Sequence, residues 1–470
     1  MFIGREFELQ KLQEFKKRNV AGIVVICGRR RIGKSTLVEH FASRIRFLEF
    51  YGLAPREGLT PRDQLDHFSE LLGLAFQLPS MKFNNWNHAL DMLASLTMKG
   101  EVIIFFDEIS WMAGSDKDFV GKLKGVWDTK FKKNPQLILI LCGSVTSWIE
   151  KNILNDKGFM GRVSLTLKLE EMPLSDANKF WGKHLVASRE KFKVCCVTGG
   201  VPRYLEEIQP QQSAEQNIKR LCFSKGGILL DEFDKIFRDI FAIRADDYRE
   251  IVKILANGSC ELEVLCDKLG VKPTGGLSKK LQILDQSGFI TRDYVWEKSK
   301  KKSKLSKFRL RDNYLRFYLK YIEPKKHLIE QGLYDDLFLE DLPEWNTIVG
   351  FQFENLVLNN LSAVQHFLQI PSSSVFSAAP YFQKKTKRQE ACQIDLLIQC
   401  RYAIYLCEIK SCQKIFPEVI DEVSEKICKL SLPKGISIRP ILIYQGEISP
   451  KIAQANFFTH LISFEQFLYI

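Results

Sequence analysis

The sequence predicts an α/β chain in three successive domains, and three observations lead to that reading. Short apolar, β-branched runs alternate with helical patterns over residues 1–230, the pattern of a parallel sheet flanked by helices and a helical lid. The order then changes to helix, helix, helix, hairpin over residues 240–322. Residues 345–470 return to strands alternating with helices, and some of those strands carry charges. A chain of 470 residues accommodates about three domains. With 45% hydrophobic and 26% charged residues, it has the material for packed cores rather than disorder. No apolar run reaches the roughly 18 residues of a membrane span. The opening MFIGREFELQ lacks a signal peptide's apolar stretch, so a cytoplasmic protein is expected.

The first domain is anchored by GIVVICGRRRIGKSTLVEHFA: a β-branched run, a glycine-bounded loop, then a helical pattern. Gly28 to Ser35 fits the phosphate-loop spacing G-x-x-x-x-G-K-[ST]. Gly28 and Gly33 let the backbone curl so that the amides of Arg29, Arg30, Arg31 and Ile32 point inward. The helix from Lys34, with Thr36 in its first turn, adds its N-terminal partial charge. Lys34 can reach the β- and γ-phosphates of a nucleoside triphosphate, and the Ser35 hydroxyl can ligate Mg²⁺. Such a loop needs a second metal-facing acid, which EVIIFFDEIS supplies. Asp107 follows a buried run and holds Mg²⁺ through water, while Glu108 polarises the attacking water. QLILILCGSV (136–145) ends on Ser144 and resembles the sensor strand of AAA-type ATPases, whose polar residue detects the γ-phosphate. Arg162, after a glycine and before another strand, is a candidate to stabilise phosphoryl-transfer charge in its own subunit or a neighbour's. Action on a neighbour would require a homo-oligomer.

The segments FIGREFELQKL, GRRRIGKST, FFDEIS, LCGSV, the Gly161–Arg162 pair and GGVPRYLEEI (199–208) occur in this order. Together they resemble the archaeal-type ATPase family, a branch of the AAA/STAND-like P-loop proteins. The resemblance covers residues 1 to about 230. It implies ATP as the nucleotide and places the opening segment near its base.

In the middle, DDYREIVKILANG, CELEVLCDKLGV and TGGLSKKLQILDQSGFI read as three helices, and ITRDYVWE and SKFRLRD as two strands. That is the order of a winged helix. Lys279 and Lys280 would lie on the third helix, with Gln282 and Gln286 as its polar readers, and Lys298 to Lys307 would form the wing tip against phosphates. From Asp293 to Lys326 there are twelve Lys/Arg against four Asp/Glu. With a net charge of +12 and a second basic knot, KKTKR at 384–388, this points to a polyanion such as DNA, bound mostly through phosphates and therefore salt-sensitive. RDNYLRFYLKYI (311–322) is aromatic at helical spacing and is expected to pack. The 12 cysteines form no C-x-x-C pair and lie often within apolar runs, so buried free thiols are expected rather than zinc.

The last domain poses the question of CQIDLLIQCRYAIYLCEIKS (392–411): charges inside apolar strands cost free energy unless paired or metal-bound. Glu408 and Lys410 are two apart on an extended segment and face one side. Asp395 falls on the neighbouring strand of a hairpin, and Glu354 on the preceding helix is the natural fourth member. Asp395 and Glu408 can share Mg²⁺ or Mn²⁺, and Lys410 can orient or deprotonate a water. The set resembles the PD-(D/E)xK, restriction-endonuclease-like fold, which implies Glu354, Asp395, Glu408 and Lys410 as its site. Gln393 stands where many relatives carry an acid. The expected function is an ATP-hydrolysing P-loop ATPase coupled to DNA binding and metal-dependent cleavage, in genome maintenance or defence. The alternative is a non-cleaving STAND-like switch whose last domain only binds a partner.

Overall fold

Seven successive buried residues, Gly22–Gly28, form β1, the strand that leads into the phosphate loop. In a computed structural model, which describes residues 2–79, 81–144, 146–241, 245–295, 305–334, 338–387, 389–430 and 435–470, β1 is joined by β2 (Arg46–Tyr51), β3 (Val102–Asp107), β4 (Leu137–Gly143) and β5 (Val163–Leu169). The order is β2-β3-β4-β1-β5, with every pairing parallel. Parallel neighbours need crossover connections, which here carry helices, so both faces of the sheet are covered and its strands read as unbroken apolar runs. Ile23 and Val25 join Ile104, Phe106 and Leu139 on one face, beneath helices Pro61–Phe76 and Trp86–Leu96. Val24 and Ile26 join Ile103, Phe105 and Ile140 on the other, beneath helices Glu6–Lys16 and Lys34–Ala42.

Contacts divide the chain into two units. The first is Met1–Glu170 with Lys235–Ala245 and Gln286–Gly288; the second is Glu171–Asp234, Asp246–Asp285 and Phe289–Ile470. Residues 171–230, expected within the first domain, thus fall in the second unit. Helices Ala245–Ala256, Leu262–Leu269 and Gly275–Gln286 are followed by an antiparallel hairpin of β6 (Ile290–Tyr294) and β7 (Ser306–Leu310), with Cys260 bridged to Phe308. The helix–helix–helix–hairpin order read from sequence is present. The expected wing tip at 298–304 lies outside the described residues. Five further strands, β8 (Val375–Gln383), β9 (Cys392–Cys400), β10 (Ala403–Ile415), β11 (Ser437–Ile448) and β12 (His460–Ser463), make a mixed sheet in the order β12-β11-β10-β9-β8. β8, β9 and β10 pair antiparallel, while β10, β11 and β12 pair parallel. Helix Glu418–Lys429 connects β10 to β11.

A buried polar network explains why the hairpin and the last sheet belong to one unit. Gln352 and Asn313 exchange side-chain-to-backbone hydrogen bonds. Asn355 Nδ2 donates to the Leu310 carbonyl at 3.0 Å, and the fully buried Arg316 donates to Gln352 at 2.9 Å and to Leu310 at 3.0 Å. Arg309 also donates to Asn355. Apart from the Arg316–Leu310 bond, these run between the hairpin with its following helix and helix Trp345–Asn359, and each satisfies a group whose burial alone would cost roughly 1–3 kcal/mol. Among the described residues no helix is long and apolar enough to cross a membrane. All the cysteines are free thiols, and only Cys412 and Cys428 are exposed, in line with the expectation of buried thiols.

β10 and β11 come unusually close where β10 bulges between Ser411 and Lys414. A Cβ on Gly446, whose φ is 119°, would lie 1.8 Å from the Cys412 carbonyl oxygen. Gly446→Ala is therefore expected to destabilise the second unit by about 2–4 kcal/mol, read as a lower midpoint in denaturant unfolding.

Candidate functional site

In a parallel sheet, ligand-binding loops gather at the carboxyl ends of the strands, and here three adjacent strand ends supply the chemistry. β1 ends in the phosphate loop, β3 in Asp107 and Glu108, and β4 runs between them and ends beside Ser144. Gly28 permits the loop's close approach to β5, because a Cβ there would sit 2.4 Å from the Leu169 carbonyl oxygen. Gly33 takes φ 83° at the start of helix Lys34–Ala42. Arg31, at φ 69°, and Glu108, at φ 49°, are left-handed non-glycine residues, a conformation that costs of order 1 kcal/mol or more and clusters at functional sites.

The buried Lys34 ammonium donates to the carbonyls of Gly28 and Arg29, each at 3.1 Å, and to Ser144 Oγ at 2.9 Å. Ser144 Oγ in turn donates to Glu108 Oε1 at 2.5 Å, and its backbone N–H donates to Oε2 at 3.0 Å. Ser144 therefore fixes both oxygens of Glu108 and links them to the loop lysine. Ser35 Oγ donates to Asp107 Oδ2 at 2.7 Å, which sets two hard oxygen donors side by side. That pair fits Mg²⁺: Ser35 and Asp107 would hold it, and it would supply charge neutralisation on the phosphates. The Ile32 side chain is fully buried in the core, Arg29 is buried, and Thr36 is exposed on the helix.

Arg5 is a site residue that motif reasoning missed. Held at φ 64° directly after Gly4 at φ 68°, its Nη2 donates to the Ile32 carbonyl at 3.1 Å and to the Glu170 carbonyl at 2.6 Å, while Nη1 bonds Glu8 at 3.1 Å. It braces the phosphate loop from behind. The only signal in the sequence is the arginine of the opening G-R-E.

Arg162 corrects an expectation. β5 pairs with β1 from Ile23–Val163 to Gly28–Leu169, so Arg162 stands at the opposite edge of the sheet from the loop. Six residues of strand separate the two edges, about 20 Å at ~3.3 Å per residue. Its guanidinium makes a two-pronged pair with Asp128 at 2.8 and 2.9 Å, which holds the Asp128 carboxyl below its usual range. Arg162 does not reach phosphates in its own subunit.

Of the basic stretch, Lys298 to Lys304 lie outside the described residues, and several of the described cations have partners within the chain. Lys307 lies 4.2 Å over the Phe382 ring, Arg309 pairs with Asp293 at 2.9 Å, and Arg311 donates to Asn359 at 2.8 Å. Arg316 is in the buried network, Lys320 pairs with Glu344, and Lys326 pairs with Asp231 and Asp234 at 2.8 Å. These cations are engaged inside the chain. Lys280 pairs with Asp247 at 2.7 Å, Gln286 donates to Glu150, and Lys279 and Gln282 are exposed. In the second knot Lys384 pairs with Glu261 at 2.7 Å and Lys385 with Glu390 at 3.3 Å, while Arg388 is outside the described residues.

The C-terminal acids are neighbours. β9 and β10 pair up to Leu396–Cys407, which puts Asp395 next to Glu408. Asp395 Oδ2 accepts the Ile409 N–H at 2.8 Å, just beyond the last β9–β10 pair. Burial, followed by the charges of Glu408 and Glu354, pushes the Asp395 carboxyl up to about 8. Burial also raises Glu354, against the pull of Arg309 and Arg316. Glu408 is buried and ion-paired on both oxygens: Lys410 at 3.2 Å on Oε1 and Lys426 on Oε2. Lys410 also pairs with Glu422 at 2.7 Å. Among the described residues no three His, Cys, Asp or Glu side chains are arranged to hold a metal ion. Lys426, which the D…E-x-K pattern does not contain, is the residue that sequence reasoning missed here.

Residues 2–208 match the profile of a family described as an ATPase domain predominantly from Archaea. An uncharacterised protein of Methanocaldococcus jannaschii is 25% identical over 374 residues, 79% of this chain and 80% of that protein. Among solved structures, a Walker-type ATPase of Pyrococcus abyssi aligns at TM-score 0.49 and 17% identity, covering 68% of this chain and 96% of that one. The ORC2 protein of Aeropyrum pernix aligns at TM-score 0.42 and 12% identity, covering 70% and 94%. The part of the chain that carries the phosphate loop is thus similar to an ATPase domain.

Lys34→Ala is expected to abolish ATP turnover, and Glu108→Gln to slow it by about 10²-fold or more while nucleotide still binds, as measured by phosphate release beside equilibrium nucleotide binding. A pH dependence follows from Asp395. The folded chain keeps this proton up to about pH 8, whereas an unfolded Asp releases it near pH 4. The folded state binds more protons across that window, so stability is highest below it and falls as pH rises through it. Urea unfolding at about pH 5 and pH 8 should show this loss, and Asp395→Asn should flatten it.

Proposed function

We propose that this chain is an ATP-hydrolysing switch that acts on DNA, with a C-terminal domain that cleaves it in a metal-dependent reaction. The observation that carries the switch is the hydrogen-bonded line Lys34–Ser144–Glu108. It ties the residue that grips the γ-phosphate to the residue that handles the attacking water, so loss of the phosphate is felt directly at the Glu108 carboxylate. In this reading Glu108 accepts a water proton, and Ser144 holds the carboxylate in the orientation that does so. The loop amides from Arg29 to Ile32, with the helix from Lys34, bind the phosphates.

DNA as the partner rests on the helix–helix–helix–hairpin order, read as a winged helix, and on the net charge of +12. The exposed Lys279 and Gln282 of the third helix are the residues for groove contact. The nuclease reading rests on the crowding of Glu354, Asp395 and Glu408. Burial and the neighbouring carboxylates raise the proton affinity of Asp395 and Glu354, and such a crowd of acids suits a hard divalent cation. Asp395 and Glu408 would hold Mg²⁺ or Mn²⁺, which would neutralise charge at the scissile phosphate, and Lys410 would orient the water. A second reading, the non-cleaving switch, is favoured by one observation: Lys410 and Lys426 already neutralise Glu408.

Plasmid nicking in Mn²⁺ separates the two readings. Cleavage that is lost in Asp395→Ala supports the nuclease; cleavage absent, or unchanged by that substitution, leaves the switch. For DNA, Lys279→Glu with Gln282→Glu is expected to weaken duplex binding by about tenfold at low salt and to flatten its salt dependence. Unaltered affinity and slope would remove the third helix as the contact.

A further inference from the structure

In the second unit a cavity of about 380 Å³ lies between helix Ser188–Thr198, the start of helix Trp345–Asn359 and the bulged ends of β10 and β11. It is separate from the phosphate loop, and nothing in the readings above uses it. Arg189 and Lys193, one helical turn apart, point the same way. Both reach a single oxygen, Glu340 Oε1: Lys193 Nζ at 3.1 Å and Arg189 Nη2 at 3.4 Å. Trp345 is an aromatic residue of the lining, and Asn346, Gln413 and Gln445 are amide residues in it. The close Gly446–Cys412 approach shapes the floor.

Two cations sharing one carboxylate oxygen are under-neutralised, and a dianion would satisfy them better. A phosphate monoester carries about −1.5 to −2 at pH 7 and offers three acceptor oxygens. An aromatic residue with amide donors and acceptors suits a nucleobase, through stacking and edge hydrogen bonds. The volume lies at the small end of ligand pockets, roughly 300–1,000 Å³. Glu447, also in the lining, adds a negative charge that disfavours a second phosphate. We infer that this cavity binds a nucleoside monophosphate unit, its phosphate displacing Glu340 from Arg189 and Lys193 and its base lying against Trp345. Glu340 is then an internal stand-in for the phosphate. The unit can come from a free mononucleotide or from the 5′-phosphorylated end of a DNA strand, since both present the same groups.

The test is calorimetric titration of the full chain with its phosphate loop saturated by ADP and Mg²⁺. Thymidine monophosphate should bind at least about tenfold more tightly than thymidine, and Arg189→Ala with Lys193→Ala should lose at least about tenfold. Glu340→Gln should tighten binding severalfold, a gain that misfolding cannot produce. Trp345→Phe should weaken thymidine monophosphate but leave inorganic phosphate unchanged. A phosphorylated tetrathymidylate that outcompetes the unphosphorylated one identifies a strand end; equal weakness of both beside tight mononucleotide binding identifies the free nucleotide. No binding of thymidine monophosphate, binding indifferent to the double substitution, or weaker binding in Glu340→Gln would each overturn the assignment.

Discussion

The position of β4 between β1 and β3 is the constraint on which the nucleotide site depends. Because the three strands are parallel, they end at one edge, and the residue that follows the middle strand lies between its two neighbours. Ser144 is that residue. An ammonium as buried as Lys34 needs its three N–H groups satisfied, and two loop carbonyls with the Ser144 hydroxyl account for all three. To grip a phosphate the lysine must release one of them. Ligand binding and the setting of Glu108 are thus competing demands on the same three donors.

The second unit is governed by a different economy of charge. Its basic sequence suggested a surface offered to phosphates, yet Arg309, Arg311 and Arg316 are turned inward to hold helix Trp345–Asn359. A buried guanidinium is costly unless most of its donors are met, and the amides Gln352, Asn355 and Asn359 on that helix meet them. The same helix carries Glu354, so the arginines that fasten it also bias its carboxyl toward ionisation. A count of basic residues along this stretch therefore overstated the cations that stand at the surface.

Much of the first unit was legible in the sequence because its signals are local. Loop glycines, a lysine and a hydroxyl at fixed spacing, and an acid pair after an apolar run each follow from one short segment. What escaped was relational. The Arg5 brace spans 165 positions to Glu170, and no periodicity announces it. Arg162 looked like a free cation because its partner, Asp128, lies 34 positions earlier on another element. Edge strand β2 alternates exposed and buried residues, a weaker pattern than the continuous runs of β1 and β4. In the last sheet the hairpin spacing placed Asp395 beside Glu408, but Lys426 enters from a helix whose rotation the sequence leaves open.

The brace made by Arg5 has a practical side. Two carbonyl oxygens, one in the phosphate loop and one at the end of the strand beside it, look to a guanidinium that comes from the chain's first turn. Trimming ahead of Glu6 would leave the phosphate loop, residues 28–35, and the acids Asp107 and Glu108 in place. It would nonetheless leave the Ile32 and Glu170 carbonyls facing inward without this donor, at roughly 1–3 kcal/mol apiece, so an expression strategy that shortens this end would slacken the cradle while the phosphate-loop motif itself stayed intact.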